Sequence, residues 1–92
     1  MDDNIDAVFK ALADSTRRLM IDELSERGEQ TLFELTARLI MKHGLSISRQ
    51  AFAKHLALLE DAGLVKSEKR GKYRVLVFNN EPLKHLLDRW VD

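Results

Sequence analysis

The sequence predicts one mostly α-helical domain with a single small β-hairpin, in the order α-α-α-α-β-β-α. The chain has 92 residues, of which 45% are hydrophobic and 33% charged, as expected for one globular domain. Apolar residues recur at helical spacing up to Gly63, the pattern is extended from Leu64 to Phe78, and a last helical stripe follows Pro82. We therefore assign residues 1–92 to one domain.

The first two helices are predicted to lie before Gly28. One helix is expected over Asp3–Leu12, and the acidic residues that the dipole at its start favours are Asp2, Asp3 and Asp6. Its apolar residues at i, i+3, i+4 and i+7 are Ile5, Val8, Phe9 and Leu12. Asp14 is a suitable N-cap for the second helix, and Gly28 ends it because glycine readily adopts a left-handed conformation.

Capping residues also mark the third and fourth helices. Thr31 and Glu34 form the Thr-x-x-Glu pattern of a capping box, so the third helix begins there, and Gly44 is expected to end it. Ser48 can cap the fourth helix, which Gly63 ends. The inward-facing residues of this fourth helix are predicted to be Phe52, Leu56, Leu59 and Ala62.

The last third of the chain is predicted to contain the hairpin and a final helix. Strands are expected over Leu64–Lys69 and Tyr73–Phe78, joined at Gly71, which can adopt the positive φ of a tight turn. Asn79 or Asn80 then caps the last helix. The apolar stripe of this helix comprises Leu83, Leu86, Leu87, Trp90 and Val91.

Charge is distributed unevenly along the chain, although the formal net charge is zero. Residues 1–35 contain four basic and nine acidic residues, a net charge of −5. Residues 36–80 contain nine basic and three acidic residues, a net charge of +6. A basic segment of this kind favours a polyanionic partner.

The order of the central elements is that of a winged helix-turn-helix, in which the second helix of the pair enters the DNA major groove and the hairpin contacts phosphates. With its apolar stripe facing inward, the fourth helix would present long polar side chains around the small Ala53. Cations on the hairpin suit phosphate contact. The predicted DNA-contacting residues are Ser48, Arg49, Gln50, Ala53, Lys54, His55, Lys69, Arg70, Lys72, Tyr73 and Arg74.

Three segments of the chain resemble the ArsR-type family of winged helix-turn-helix regulators, namely Ala11–Arg18, Ala53–Val65 and Arg70–Tyr73. The resemblance implies a bacterial repressor in which the helix bearing the second segment reads DNA and the first and last helices form the dimer interface. Two features differ from the family pattern. The connection Ile40–Ile47 is several residues longer, and Leu32–Thr36 lacks the cysteine pair of the thiolate metal sensors.

The terminal helices give a further reason to expect a homodimer. The helix-turn-helix core occupies the inward faces of the central helices, so part of both terminal apolar stripes should remain for a partner, although the stripes could instead complete the core of one chain. The residues predicted at the dimer interface are Ile5, Val8, Phe9, Leu12, Leu83, Leu86, Leu87, Trp90 and Val91.

The chain lacks the residues that several classes of function require. The chain has no cysteine, which excludes disulfides, thiolate metal sites and cysteine nucleophiles. It has no glycine-rich phosphate loop, and its three histidines lie on different predicted elements, so we predict neither enzymatic activity nor a cofactor. His85 and Asp88 share a face of the last helix, but two ligands are too few, and we predict no metal site.

No apolar run approaches the length of a membrane helix and the chain begins with acidic residues, so we expect a cytoplasmic protein. We interpret it as a homodimeric regulator, a repressor, that binds a double-stranded DNA operator. His55 lies beside the apolar stripe, so we expect it to pack and form hydrogen bonds, for which a DNA phosphate is one candidate partner, rather than to act as a titrating switch. The alternative function is a winged-helix module whose basic hairpin binds an acidic protein, which salt and sequence dependence of duplex binding would distinguish.

Overall fold

The computed structural model describes residues 3–91. Met1, Asp2 and Asp92, and with them the predicted dipole contact of Asp2, lie outside the described residues. The elements, in chain order, are α1 (Asp3–Leu12), α2 (Ser15–Arg27), β1 (Gln30–Thr31), α3 (Leu32–Met41), α4 (Arg49–Asp61), β2 (Val65–Arg70), β3 (Tyr73–Phe78) and α5 (Glu81–Trp90). The predicted fold class and order are confirmed, and β1 is an addition to them.

The predicted N-caps of the three central helices are confirmed. Asp14 Oδ1 accepts hydrogen bonds from two backbone N–H groups in the first turn of α2, at 2.8 and 3.2 Å. Thr31 and Glu34 form the reciprocal hydrogen bonds of a capping box at α3. Ser48 Oγ accepts a hydrogen bond of 3.0 Å from the first turn of α4. Since a cap contributes about 0.5–2 kcal/mol, these local signals determine where α2, α3 and α4 begin.

Three predicted boundaries were wrong by one to three residues, and one of them is the end of the first hairpin strand, which lies at Arg70 rather than at Lys69. α3 ends at Met41 rather than at Gly44, because the two residues that follow the helix turn toward a buried carboxylate of α2. The hairpin begins at Val65 rather than at Leu64, because the Leu64 N–H donates back to the Leu59 carbonyl at 3.0 Å. In both places a tertiary or turn contact takes the place of the hydrogen bond that would extend the helix or the strand.

Asn79 connects β3 to α5. Its Nδ2 donates to the Gly63 carbonyl at 2.8 Å, and its Oδ1 accepts from the Glu81 N–H at 3.3 Å. Asn80 occupies the N-cap position of α5 without a side-chain hydrogen bond. Of the two predicted caps, Asn79 therefore supplies the side-chain contact. At the other end of α5, Val91 lies just outside the helix, although the sequence pattern places it on the apolar stripe of that helix.

The sheet has three strands in the order β1-β3-β2, all antiparallel. The two residues of β1 pair with the middle of β3, Gln30 with Leu76 and Thr31 with Val75. This strand anchors one edge of the sheet to the N-terminus of α3. A strand of two residues is too short to produce an alternating pattern, which explains why it was not predicted.

The hydrophobic core draws side chains from α1 to α4 and from the sheet, with α5 packed against its edge. The predicted inward residues of α4 are all buried, namely Phe52, Leu56, Leu59 and Ala62. Val8 of α1 also lies in this core, at 2% exposed. Because burying a leucine-sized side chain contributes about 1.5–3 kcal/mol, this packing holds α4 firmly with its other face outward.

Candidate nucleic-acid interface

The exposed side of α4, which we call the reading face, consists of Arg49, Gln50, Ala53 and Lys54. The buried stripe on the opposite side of the helix fixes its orientation. Among the described residues, the side chains of Arg49, Gln50 and Lys54 have no hydrogen-bond or ion-pair partner. Three long side chains with unused donors thus project from the first turns of a rigid helix, around one small residue that permits close approach.

His55 lies at the edge of α4, half-buried against α2. Its Nδ1 is 2.9 Å from Nη1 of the buried Arg17 and 4.0 Å from Oδ1 of Asp14. The same guanidinium donates to the carbonyls of Lys10 and Ala11 at the end of α1, both at 2.9 Å. This arrangement confirms hydrogen bonding as a role of His55, and it links the end of α1 to α4 through one side chain.

The carboxylate of Asp14 carries negative charge beside this contact. Partial burial raises the pKa of Asp14, but the backbone N–H groups of α2 that it caps and the nearby Arg17 guanidinium lower the pKa below its usual value. Asp14 is therefore an anion at neutral pH, and its oxygen points at the start of α2.

The wing, formed by β2, β3 and the turn at Gly71 and Lys72, is exposed at its tip. Gly71 has φ +62°, as the tight turn requires. Lys66, Lys69 and Lys72 project from the wing and have no ion pair with any described residue. Tyr73 is 58% exposed beside them.

The two arginines of the wing are engaged within the chain, which the sequence did not indicate. Arg70 forms two hydrogen bonds with Glu29, at 2.7 and 3.2 Å, and two with Glu68, at 3.2 and 3.3 Å. These contacts lower the pKa of Glu29 and raise the pKa of Arg70 above its usual range. Arg74 pairs with Glu60 of α4 at 2.7 Å. Among the described residues, the lysines rather than the arginines are thus the cations of the wing that have no ion-pair partner.

The connection between α3 and α4 is held by a buried carboxylate that the sequence reading missed. Glu23 of α2 has only 1% of its side chain exposed, and its Oε2 lies 3.0 Å from both Lys42 Nζ and His43 Nε2. Burial raises the pKa of Glu23, but the hydrogen bonds from these two residues outweigh it and leave the pKa below its usual value. The one sequence signal was that Glu23 directly precedes Leu24 on the apolar side of α2.

The terminal helices contact each other and leave an apolar surface exposed. Phe9 of α1 stacks on Trp90 of α5 with ring centroids 6.2 Å apart, yet these side chains remain 47% and 62% exposed. Leu87 and Val91 are 59% and 64% exposed. We call these four residues the terminal patch. The other predicted interface residues are partly or fully covered within the chain, namely Ile5, Val8, Leu12, Leu83 and Leu86.

His85 and Asp88 are both exposed on α5. Within residues 3–91, no three His, Cys, Asp or Glu side chains come together as potential metal ligands. Over the same range, no helix is both long and apolar enough to cross a membrane.

Comparison with known proteins shows similarity along the whole chain. Residues 12–68 match a family described as a helix-turn-helix domain. An uncharacterized HTH-type transcriptional regulator of Bacillus subtilis (strain 168), YuzN, is 70% identical over 92 residues, which is 100% of both chains. The arsenical resistance operon repressor of the same organism is 32% identical over 79 residues, 86% of this chain and 70% of that protein.

A solved structure extends the similarity to the fold. The crystal structure of an ArsR family transcriptional regulator superimposes with a TM-score of 0.79 and 31% sequence identity. The match covers 99% of this chain and 86% of the other. It therefore includes the terminal helices as well as the helix-turn-helix and the wing.

Proposed function

The chain belongs to the ArsR-type family of winged helix-turn-helix regulators, and we propose that it is a homodimeric repressor that reads a near-palindromic operator with α4. As a member of this family, it is a DNA-binding transcriptional regulator and not an enzyme. The observation that carries the proposal is the reading face, whose polar side chains are held outward by a buried stripe and have no partner among the described residues.

The reading face suits base recognition in the major groove. Arg49 can bind guanine through two parallel hydrogen bonds, and Gln50 can do the same with adenine. Ala53 lies between them and Lys54, so the helix can approach the base edges closely or contact a thymine methyl group. Since each good bidentate contact discriminates by about 1–3 kcal/mol, one helix of this kind is sufficient to select a short half-site.

The wing suits phosphate contact beside the groove. Lys69 and Lys72 are exposed and unpaired with described residues, and lysine binds phosphate without reading sequence. Tyr73 can add a hydroxyl contact to the sugar-phosphate backbone. Arg70 and Arg74 contact DNA only if they exchange their carboxylate partners for phosphates, so the lysines carry most of the expected wing contribution.

The terminal patch supports dimerisation. Phe9, Leu87, Trp90 and Val91 form an exposed apolar surface beside a core that α1 to α4 and the sheet build. A two-fold axis through the patch would bury the same aromatic pair from both chains. To read two half-sites on one face of the duplex, the two α4 helices of the dimer must lie about one DNA turn apart, ~34 Å.

The role as a repressor is supported by the relatives. One of them is named as an operon repressor and covers most of this chain. This chain has no cysteine, so we propose that thiolate-bound metal is not its signal. A repressor acts where the DNA is, and we accordingly expect the protein in the cytoplasm.

The experiment that tests the function is selection of binding sites from a random duplex pool, followed by titration at increasing salt. We expect one palindromic consensus, preferred over random duplex by about 10³-fold or more, and a steep fall of affinity with salt. Weak binding without sequence preference would reject this function and favour a module for an acidic protein partner.

A further inference from the structure

We propose that a pocket beside the reading face binds one phosphate of the operator backbone through neutral donors. The pocket lies between the start of α2 and the connection that precedes α4, and its polar side chains are Thr16, Ser46, Ser48 and His55. We call it the phosphate pocket. The inference rests on the proposed function, because it concerns how the same protein grips DNA.

The hydrogen bond between Arg17 and His55 determines which ring nitrogen faces the pocket. A guanidinium can only donate, so His55 Nδ1, at 2.9 Å from Arg17 Nη1, must accept. A histidine whose Nδ1 accepts is neutral and carries its proton on Nε2. His55 therefore offers a fixed Nε2–H donor on the ring edge away from Arg17, and no described residue accepts from it.

The other polar side chains of the pocket also have donors to spare. The hydroxyls of Thr16 and Ser46 form no hydrogen bond with described residues. The Ser48 hydroxyl accepts from the Ala51 N–H at 3.0 Å, and its own hydrogen remains available. Up to four donors thus line one open pocket of about 510 Å³. Such a set fits the oxygens of a phosphodiester, which only accept.

The electrostatic surroundings favour an anion there. None of the described residues that line the phosphate pocket is acidic. The guanidinium of Arg17 contacts the Nδ1 side of His55 and is buried, so water screens its positive charge only weakly. The Asp14 carboxylate lies close by, with Oδ1 at 4.0 Å from His55 Nδ1, but this oxygen accepts from the Thr16 and Arg17 N–H groups at the start of α2.

The position of the pocket matches the path of a DNA strand past α4. A shallow depression along the reading face is lined by Ser48, Gln50, Ala51, Ala53 and Lys54. Ser48 and Ala51 also line the phosphate pocket, so the two surfaces are continuous. When α4 enters the major groove, the strand that borders the groove on this side would pass over the pocket.

Two isosteric substitutions separate the two nitrogens of His55. His55→Gln keeps a donor near the position of Nε2, and His55→Asn keeps an acceptor near the position of Nδ1 but has no donor toward the pocket. We expect His55→Asn to weaken binding to the selected operator by about tenfold or more, as for a hydrogen bond to a charged group, and His55→Gln to stay within a few-fold of the wild type. Because the lost donor is neutral, the salt slope should not change.

Modified DNA makes the test specific. A set of duplexes, each with one phosphate replaced by an uncharged methylphosphonate, should contain one position at which His55→Asn and wild-type proteins bind equally. Thr16→Val, which keeps the shape of the side chain, should lose affinity on native duplex and show no further loss at the same position. Ser15→Ala, an adjacent hydroxyl outside the pocket, serves as the matched control and should bind like the wild type.

The outcomes distinguish this inference from the proposed function. If the wild type binds no duplex with sequence preference, the proposed function fails. If the wild type binds and His55→Asn binds as tightly, or if His55→Gln is the weaker variant, the phosphate pocket is wrong and the function stands. Thermal melting of each variant checks folding, and the Thr16→Val result decides the matter if His55→Asn unfolds.

Discussion

At the scale of single residues, the cations near α4 fall into two groups. Arg49, Lys54 and the wing lysines are exposed and unpaired with described residues, whereas Arg70 and Arg74 are bound to carboxylates. Only the first group can bind DNA without first breaking an ion pair. Sequence composition cannot distinguish these cations, whereas the structure shows which of them are already bound to carboxylates.

Arg49 provides a prediction for base recognition. Arg49→Ala should reduce the preference for operator over random duplex by about 1–3 kcal/mol, because a bidentate contact to guanine would be lost. Competition binding at fixed salt measures this difference, with Lys10→Ala on α1 as an exposed-cation control. An equal loss on both duplexes would show that Arg49 contacts only phosphate.

The wing provides a prediction in which the ion pairs decide the result. Lys72→Ala should flatten the salt dependence of binding by about one unit, as expected for one lost phosphate contact, and Arg70→Ala should flatten it less because Glu29 and Glu68 already neutralise that side chain. Glu29→Gln leaves Arg70 paired with Glu68 alone, so it should make this arginine more available to phosphate and strengthen binding to every duplex. Unchanged slopes for Lys72→Ala would place the wing away from DNA.

Glu23 provides a prediction for stability. Glu23→Gln should lower the free energy of unfolding by about 1–2 kcal/mol at neutral pH, because a neutral amide cannot form the charge-assisted hydrogen bonds that the carboxylate forms with Lys42 and His43. Glu26→Gln, whose carboxylate is exposed and 3.9 Å from Lys42, is the control and should change stability by less than about 0.5 kcal/mol.

The pH dependence of that difference follows from the direction of the pKa shift. The pKa of Glu23 is lowered on folding, so its contribution is complete above the pKa of the unfolded chain and is lost as the pH falls through the lower folded value. The gap between the wild type and Glu23→Gln should therefore shrink in acid. Denaturant unfolding at several pH values measures it, and a gap that grows below pH ~4 would contradict the assignment.

At the scale of elements, the sequence was sufficient to predict the helix caps, turns and buried faces that are determined by residues close together in the chain. The capping box at Thr31, the cap at Ser48 and the turn at Gly71 are local, and each is where the pattern indicated. The buried stripe of α4 was predictable for the same reason, and with it the reading face.

Features that depend on distant parts of the chain could not be predicted. β1 exists only because β3 offers it an edge, and α3 ends early because Glu23 attracts the residues after it. The pair between Arg70 and Glu29 joins residues far apart in sequence. The contact of Arg17 with His55 likewise joins α2 to α4, so the tautomer of His55 could be derived only from the structure.

At the scale of the whole molecule, we propose that DNA binding depends on a second copy of the chain. Trp90→Asp should split the dimer, because a charge without a partner would be buried in the terminal patch at a cost of about 3–5 kcal/mol. Sedimentation at micromolar concentration should show dimers for the wild type and for Phe33→Asp, a control at an exposed aromatic residue of α3, and monomers for Trp90→Asp. A Trp90→Asp protein that stays dimeric would remove the terminal patch from the interface.

The central claim is that two copies of α4 read two half-sites on one face of the duplex. Chemical protection of purine N7 atoms on the selected operator tests it most directly, since these atoms lie in the major groove. The account predicts two protected clusters about one helical turn apart, ~10 base pairs, and loss of both clusters in Trp90→Asp at concentrations where the wild type protects them. A single protected cluster, or no protected N7 atom within the selected operator, would contradict it.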